Sequence, residues 1–562
     1  MKRILVVGGV AGGASAAARI RRLDETASIT ILERGPHISF SNCALPYYLG
    51  GVVASEEKLI MMAPDAFQAR YQIEVRVEHE ALSINPAEKT VSVKDIRGGR
   101  VYSEGYDVLI LSPGARPVIP ASIKGTGLPH VFTIRNVVDI ARIKGWIDQE
   151  NVEDVAVIGG GFIGMEVAEN LRHKHVTLVE AANQVMAPFD YDMAQILHKE
   201  CMDHGVDLIL QDGLDEIAET EIHLRSGRKI RAQAVILAIG AAPETGLAKD
   251  AGLEIGPSGG IKVNQRFQTS DSSIYAVGDA IEVYHALTHR PVLLPLAGPA
   301  QRQARAAADS ICGVPHGHPG VIGSCAVRIF DLNAAATGLN EKTAKAAGIP
   351  YDFVYIIPSD RPGSMPEAKP MHFKLLYEVP TGRILGAQAI GGGSADKRID
   401  VIAAMISSGA NLEDLKELEL CYSPRFGTAK DVVNQAAMVA LNILYGTVRQ
   451  VPVTAVRELV ESQACIIDVR EEAEFQKGHL LGAKNIPLSQ LRGRVHEIPN
   501  DQPVYLHCRT SQRSYFALMA LQGRGFQNLW NISGSYLGIC LYEYFNDVVQ
   551  NRKPIVTAYN FQ

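Results

Sequence analysis

Short apolar runs that end in glycine organise this chain. Ile4-Leu5-Val6-Val7 is the first, and an apolar run without polar alternation is what a parallel strand buried on both faces requires. Gly8-Gly9-Val10-Ala11-Gly12-Gly13 follows, and small residues then predict a helix over Ala14–Arg22. Ser28–Leu32 reads as a second strand that ends at Glu33. A glycine turn between strand and helix, with an acid closing the second strand, is the layout of a dinucleotide-binding unit. The glycines permit the tight turn and the close helix approach, and the acid accepts from a ribose hydroxyl. Val10 stands in place of the middle glycine, so this fingerprint is imperfect. The unit recurs in complete form. Val155–Ile158 leads into Gly159-Gly160-Gly161-Phe162-Ile163-Gly164, a helix from Met165 to about Arg172, and a strand His175–Glu180. Two such units predict two dinucleotides on one chain, each with its phosphates at a helix N-terminus. Glu180 accepts from a 2′-hydroxyl and repels a 2′-phosphate, and Ala181-Ala182 offers no arginine to receive one. NADH is therefore preferred over NADPH.

Three further apolar strands end in small residues. They are Leu109–Leu111 before Ser112-Pro113-Gly114-Ala115, Val235–Ile239 before Gly240, and Ser273–Val277 before Gly278-Asp279. The first two read as the ends of a crossover between nucleotide domains, and Asp279 could simply cap the next helix.

A chain of 562 residues predicts three or four domains at ~150 residues each. The net charge of −6 gives no reason to expect nucleic acid or a membrane surface as partner. The N-terminus enters a strand directly, with no signal-like apolar region, and no apolar run of about twenty residues occurs. Eight scattered cysteines form neither a disulfide framework nor a zinc-spaced cluster, and His316-x-His318 reads as a loop pair. The expected setting is reducing cytoplasm.

One cysteine stands out. Ser39-Phe40-Ser41-Asn42-Cys43-Ala44-Leu45-Pro46-Tyr47-Tyr48 places a lone thiol just before an expected helix start, where a helix N-terminus favours the thiolate. Taken alone, Cys43 could equally be a small core residue.

Over residues 1–440 the chain resembles the two-dinucleotide-binding flavoprotein disulfide reductases. Within them it is most similar to the single-cysteine coenzyme A disulfide and persulfide reductases. Ser39–Tyr48, Leu294–Gln303 and Tyr422-Ser-Pro-Arg-Phe-Gly-Thr-Ala-Lys-Asp431 carry that resemblance. It implies an α/β protein with two Rossmann-like FAD- and NAD(P)H-binding domains, an α+β dimerisation domain and a homodimer. FAD is implied on Gly8, Val10, Ala11, Gly12, Gly13, Glu33, Arg34, Asn42, Ser112, Gly114, Asp279, Pro295, Leu296 and Ala297. NADH is implied on Gly159, Gly161, Phe162, Ile163, Gly164, Glu180 and Gly240. Coenzyme A, bound as substrate or ligand, needs cations and polar groups along its phosphates. Ser15, Arg19, Arg22, Ser39, Asn42 and Arg70 are the candidates by position, with Lys430 from the other subunit. Tyr422 is implied to reach the partner's active cysteine. The family's second active-site tyrosine has no counterpart here, because the stretch reads Arg361-Pro-Gly-Ser364-Met365-Pro366-Glu367-Ala368. That removes one phenol able to protonate a leaving thiolate.

Gln450-Val451-Pro452 reads as a boundary, after which the periodicity restarts. The prediction is helix Thr454–Glu461, strand Cys465–Val469, helix Leu488–Leu491, strand Val504–His507 and helix Gln512–Leu521, a small α/β domain. Cys508 leaves a buried strand and enters a five-residue loop, where backbone N–H groups and the cations Arg509 and Arg513 favour thiolate or persulfide. The loop Cys508-Arg509-Thr510-Ser511-Gln512-Arg513, Asp468-Val-Arg470 and Gly478-His479 match a rhodanese domain. The expected domains are 1–115 with 245–322 for FAD, 116–244 for NADH, 323–445 for dimerisation and 452–550 for rhodanese.

Together these features imply a cytoplasmic, homodimeric NADH-dependent flavoenzyme that reduces CoA persulfide, polysulfide or CoA disulfide through Cys43. Cys508 would carry sulfane sulfur, and Tyr422 would assist. Two alternatives stand beside it. One is an NADH oxidase or peroxidase cycling Cys43 through sulfenic acid, against which Ala11 replaces the histidine of those relatives. The other is a sulfur carrier or persulfide sensor that serves a protein partner.

Overall fold

A computed structural model describes residues 1–317 and 320–561, so the expected His316-x-His318 pair lies partly outside them. The chain forms two compact units, residues 1–181 with 212–321 and residues 182–211 with 322–562. Among the described residues no helix is long and apolar enough to cross a membrane.

The first unit holds both nucleotide folds. One parallel sheet runs in the order Ile274–Ala276, Val108–Leu111, Arg3–Val7, Ser28–Glu33, Glu74–Val77. The other pairs His175–Glu180, Asp154–Ile158, Ala234–Leu237 and Val131–Phe132 in parallel. The central strands are buried along their length, which is why they read as unbroken apolar runs. The two predicted crossover ends do meet, since Ala115–Pro117 and Ala241–Pro243 pair antiparallel. Both glycine-turn helices begin earlier than predicted, at Ala11 rather than Ala14 and at Phe162 rather than Met165. Their first turns take in glycine, which has poor helix propensity but lets the helix end sit against the strand.

The second unit contains two sheets. The antiparallel one runs Cys325–Ile329, Leu332–Gly338, Ile384–Gly391, Met371–Glu378, Tyr351–Ile356. Helices Ala395–Ser407 and Val432–Leu444 belong with it. The parallel one runs Gln450–Val451, Leu529–Ile532, Val504–His507, Cys465–Asp468, Lys484–Asn485. The helix predicted at Leu488–Leu491 is instead a series of turns, with Gln490 N–H on the Pro487 carbonyl and Gly493 N–H on Gln490. Leu491 is buried, so its apolar spacing records packing and not a helix. Beyond helix Ser535–Val549 the tail folds back. Thr557 N–H bonds the His479 carbonyl, and the Tyr536 hydroxyl donates to the Ala558 carbonyl at 2.5 Å.

A buried ion cluster lies in the core of this unit. Lys374, on a central strand and fully buried, reaches Asp190 at 3.2 Å, Asp192 at 2.8 Å and Glu341 at 2.5 Å. Its removal leaves three carboxylates without a cation in low dielectric. Lys374→Met is expected to lower stability by about 3–5 kcal/mol, read as a drop in the denaturation midpoint of the purified protein.

Candidate active sites

The two glycine turns are built alike. A Cβ at Gly13 would stand 1.8 Å from the Gly8 carbonyl oxygen, and one at Gly164 would stand 1.9 Å from that of Gly159. Gly8 and Gly159 take φ of +98° and +110°, a region that L side chains rarely enter. Helix Ala11–Leu23 starts at Val10 and helix Phe162–Asn170 at Gly161, neither with a side-chain cap. Their N–H groups therefore present partial positive charge to an anion. The acid after the second strand supports each turn, with Glu33 accepting from Gly9 N–H at 2.8 Å and Glu180 from Gly160 N–H at 2.7 Å. Glu33 also accepts from Gly35 N–H at 2.7 Å. A Cβ at Gly12 would lie 2.4 Å from the Ser112 hydroxyl, so this floor admits only backbone. These cradles fit two dinucleotides.

Asp279 follows strand Ile274–Ala276 of the first sheet. It makes no hydrogen bond to the described residues, and burial raises its pKa. A desolvated carboxyl without a protein partner fits a ligand hydroxyl. Gly278 N–H is held by the buried Gln303 on helix Ala297–Ile311, which sets the strand end that carries Asp279. Pro295, Leu296 and Ala297 lead into the uncapped start of that helix.

Cys43 sits in a single tight turn, Asn42–Ala44, followed by the short helix Leu45–Leu49. Its thiol is exposed. Burial of its surroundings and the Glu166 and Asp279 carboxylates together push its pKa above the ordinary value. This corrects the expectation of a lowered pKa. The helix that follows has five residues, too few for a large dipole, and the nearby charges are negative. All eight cysteines are free, so Cys43 forms no internal disulfide.

The sequence pointed to neither Glu166 nor Tyr47 as a site residue. Glu166 lies on helix Phe162–Asn170, and the Tyr47 hydroxyl donates to it at 3.4 Å. Burial raises Glu166 to about 7, opposed by the Tyr47 hydrogen bond and aided by Glu169. The available signal was an acid one turn into the helix after the second glycine loop, where most residues are apolar.

The predicted cation set separates into two kinds. Arg19 is committed to Asp309 at 2.7 Å and ties its helix to Ala297–Ile311. Arg22 and Arg70 are exposed, with Arg70 over the Tyr71 ring. Ser15 and Ser39 are half-buried, and Ser39 has φ of +48°. Arg34 reaches Glu80 and Glu244 at 3.5 and 3.6 Å. In the second unit Lys430, Tyr422 and Phe426 are exposed, on a stretch without regular structure between Glu417 and Val432.

The second candidate site surrounds Cys508, buried at the end of strand Val504–His507. The Ser514 hydroxyl donates to its sulfur at 3.7 Å, and its own N–H donates to the Ser535 hydroxyl at 3.2 Å. Tyr536 N–H bonds the Cys508 carbonyl, and Leu537 N–H bonds that of Arg509, both at 3.1 Å. Ser511, at the start of helix Gln512–Gln522, is left-handed with φ of +74°. Arg513 forks onto Glu474 at 2.6 and 2.8 Å. Behind the loop, Arg470 clamps Asp468 and lies 4.0 Å from the Tyr536 ring centroid.

The fold and the two glycine cradles define an oxidoreductase with paired nucleotide sites. The chain belongs to the pyridine nucleotide-disulphide oxidoreductases, whose main domain matches residues 2–304 and whose dimerisation domain matches 325–432. A rhodanese-like domain matches residues 453–541. The family carries FAD and a nicotinamide cofactor, which fits the two cradles. Coenzyme A disulfide reductase of Staphylococcus epidermidis is 33% identical over 77% of this chain and 98% of its own. Reduced Bacillus anthracis CoADR-RHD is 44% identical, with a TM-score of 0.94 over 97% of this chain and 98% of that one. An NAD-dependent persulfide reductase from A. fulgidus is 33% identical, with a TM-score of 0.91 over 96% and 99%.

Glu166 generates a measurable signature. Its carboxyl ionises at about 7 in the fold against 4.5 in a free chain, so the protonated form favours folding. That stability is complete below about 4.5 and lost as pH rises through about 7. Subtracting the pH dependence of the Glu166→Gln unfolding midpoint from that of the parent should isolate a decline confined to this window.

Proposed function

We propose that this enzyme is an NADH-dependent reductase of coenzyme A persulfide, acting also on polysulfide and CoA disulfide, with Cys43 as the redox nucleophile. The observation that carries this reading is the lone, exposed Cys43 thiol with no internal disulfide partner, beside two nucleotide cradles. A thiol with no internal partner can form a disulfide only with an external sulfur compound. The Cys43 thiolate attacks a CoA persulfide at one of its two sulfurs. Attack at the inner sulfur releases hydrosulfide and leaves a Cys43–CoA mixed disulfide. Attack at the outer sulfur releases CoA thiol and leaves a Cys43 persulfide. Two electrons restore the Cys43 thiolate in either case, releasing CoA thiolate or hydrosulfide. FAD, when bound, supplies the route for electrons from the nicotinamide to sulfur.

The chain's residues bind and orient around that chemistry. Gly8–Gly13 and Asp279 hold the flavin, and Gly159–Gly164 with Glu180 hold NADH. Glu180 supports NADH over NADPH because its carboxylate, fixed by Gly160 N–H, would face a 2′-phosphate with like charge. Arg22 and Arg70, exposed near the start of the chain, suit the CoA phosphates better than Arg19, which Asp309 already neutralises. The exposed Tyr422 and Phe426, 52% and 75% accessible, support a homodimer in which this stretch meets the partner. Cys508 carries sulfane sulfur, and the setting is cytoplasmic.

Mixing NADH-reduced enzyme with CoA persulfide, CoA disulfide or peroxide, and following flavin absorbance by stopped flow, tests the reading. The persulfide is expected to react fastest, with mass spectrometry finding a CoA adduct or an added sulfur on Cys43. Faster reaction with peroxide and a sulfenate on Cys43 would overturn it in favour of a peroxidase. Separately, Glu180→Ala should narrow the preference for NADH over NADPH, read as the ratio of kcat/KM values.

A further inference from the structure

The loop that carries Cys508 is anchored outside the rhodanese module, on the dimerisation sheet. The path starts at Tyr355, on strand Tyr351–Ile356 at the edge of that sheet. The Tyr355 hydroxyl bonds His372 Nδ1 at 2.6 Å, and both residues are buried. Burial holds His372 neutral, pushed down to about 3, so its Nδ1 accepts the phenolic proton. The ring is thereby fixed in one position. Its backbone carbonyl accepts the Ser533 hydroxyl at 3.0 Å. Its ring edge lies directly against Gly534, where a Cβ would stand 2.7 Å from Tyr355 Cε1.

The turn held in this way, Ser533-Gly534-Ser535, is the one that grips Cys508. Gly534 and Ser535 both have positive φ, +72° and +48°. Ser535 accepts from Cys508 N–H at 3.2 Å and lies 3.1 Å from the Ser511 hydroxyl, itself on a residue with φ of +74°. Two left-handed serines, one on either side of the cysteine and joined through their hydroxyls, hold backbone strain. Such a turn persists only where its surroundings over-determine it. Tyr536 and Leu537, the next two residues, close the other side of the loop on the carbonyls of Cys508 and Arg509.

We infer that Tyr355 of the dimerisation domain, through its contacts with Ser533 and Gly534, is a positioning residue for the Cys508 loop. The sulfur-carrying cysteine is then set by the dimerisation sheet and is not an independent appended module. The consequence for sulfur transfer rests on the proposed role of Cys508, whereas the geometry does not.

The rate of Cys508 alkylation by iodoacetamide across a pH series, with the adduct located by peptide mass, reads that geometry directly in the full-length holoenzyme. Tyr355→Ala should change the Cys508 rate by about ten-fold or more, the scale on which small displacements of a reacting group are felt. It should leave NADH-driven flavin reduction unchanged. Tyr355→Phe, which keeps the ring, should restore most of the parent rate. Ser533→Ala, a small change that serves if Tyr355→Ala does not fold, should shift the profile in the same direction. An unaltered alkylation profile in folded Tyr355→Ala or in Ser533→Ala overturns the inference. An altered profile with sulfane transfer absent from the parent as well would sustain the inference and reject Cys508 as a sulfur carrier.

Discussion

Two helix ends approach two strand ends in this molecule so closely that only hydrogen fits between them, at Gly13 over Gly8 and at Gly164 over Gly159. Much of the chemistry follows from that contact. It brings uncapped backbone N–H groups to the carboxyl end of a parallel sheet, the position where open α/β sheets bind ligands. Each turn is then stiffened by the acid twenty or more residues downstream, Glu33 on Gly9 and Glu180 on Gly160. The carboxylate thus does two things. It fixes the glycine turn from within, and in the proposed function it is also the acceptor for a ribose hydroxyl. Losing either acid would remove the hydrogen bond that holds its glycine turn.

How far the sequence revealed this depends on the range of the interaction involved. The strand, glycine turn and helix are local, and their residues carry the signal: Ile4–Val7 and Val155–Ile158 are apolar because both faces are covered. The helix starts were misplaced because glycine reads as a breaker, whereas at Gly12 and Gly13 it is what permits the helix to begin. Leu488–Leu491 misled for the opposite reason, since apolar spacing suited to one helical turn is produced here by turns that bury Leu491. Cys43 was visible from its surroundings in sequence, but its electrostatics were not. Glu166 lies 123 residues away and Asp279 lies 236 away, and nothing local shows that both face the sulfur. The anchoring of the Cys508 loop was hidden for the same reason, because Tyr355 is more than 150 residues upstream.

The second unit treats charge differently from the first. Lys374 is buried among three carboxylates from two separate segments, Asp190 and Asp192 at the start of helix Tyr191–Asp203 and Glu341 at the start of helix Glu341–Ala347. Buried ion clusters of this kind add little net stability over apolar packing. They do penalise any arrangement that separates the partners, and so they fix which segment sits where. The 182–211 segment, far in sequence from the dimerisation sheet, is held to it in this way.

The negative surroundings of Cys43 bear on how its proton moves. A thiol beside two carboxylates resists ionisation, and both Glu166 and Asp279 act in that sense. Glu166 is itself raised to about 7, mainly by burial. Each proton it takes up removes one of the two charges opposing the Cys43 thiolate. The two titrations are therefore coupled, and neither belongs wholly to one residue. The Tyr47 hydroxyl, bonded to Glu166 and four residues after Cys43, lies between the two in the chain and can donate or accept. The stretch 361–368 carries no tyrosine, so the phenol that the family resemblance led one to expect is missing. The acid that acts on the Cys43 sulfur electrostatically here is Glu166, on helix Phe162–Asn170 of the same chain.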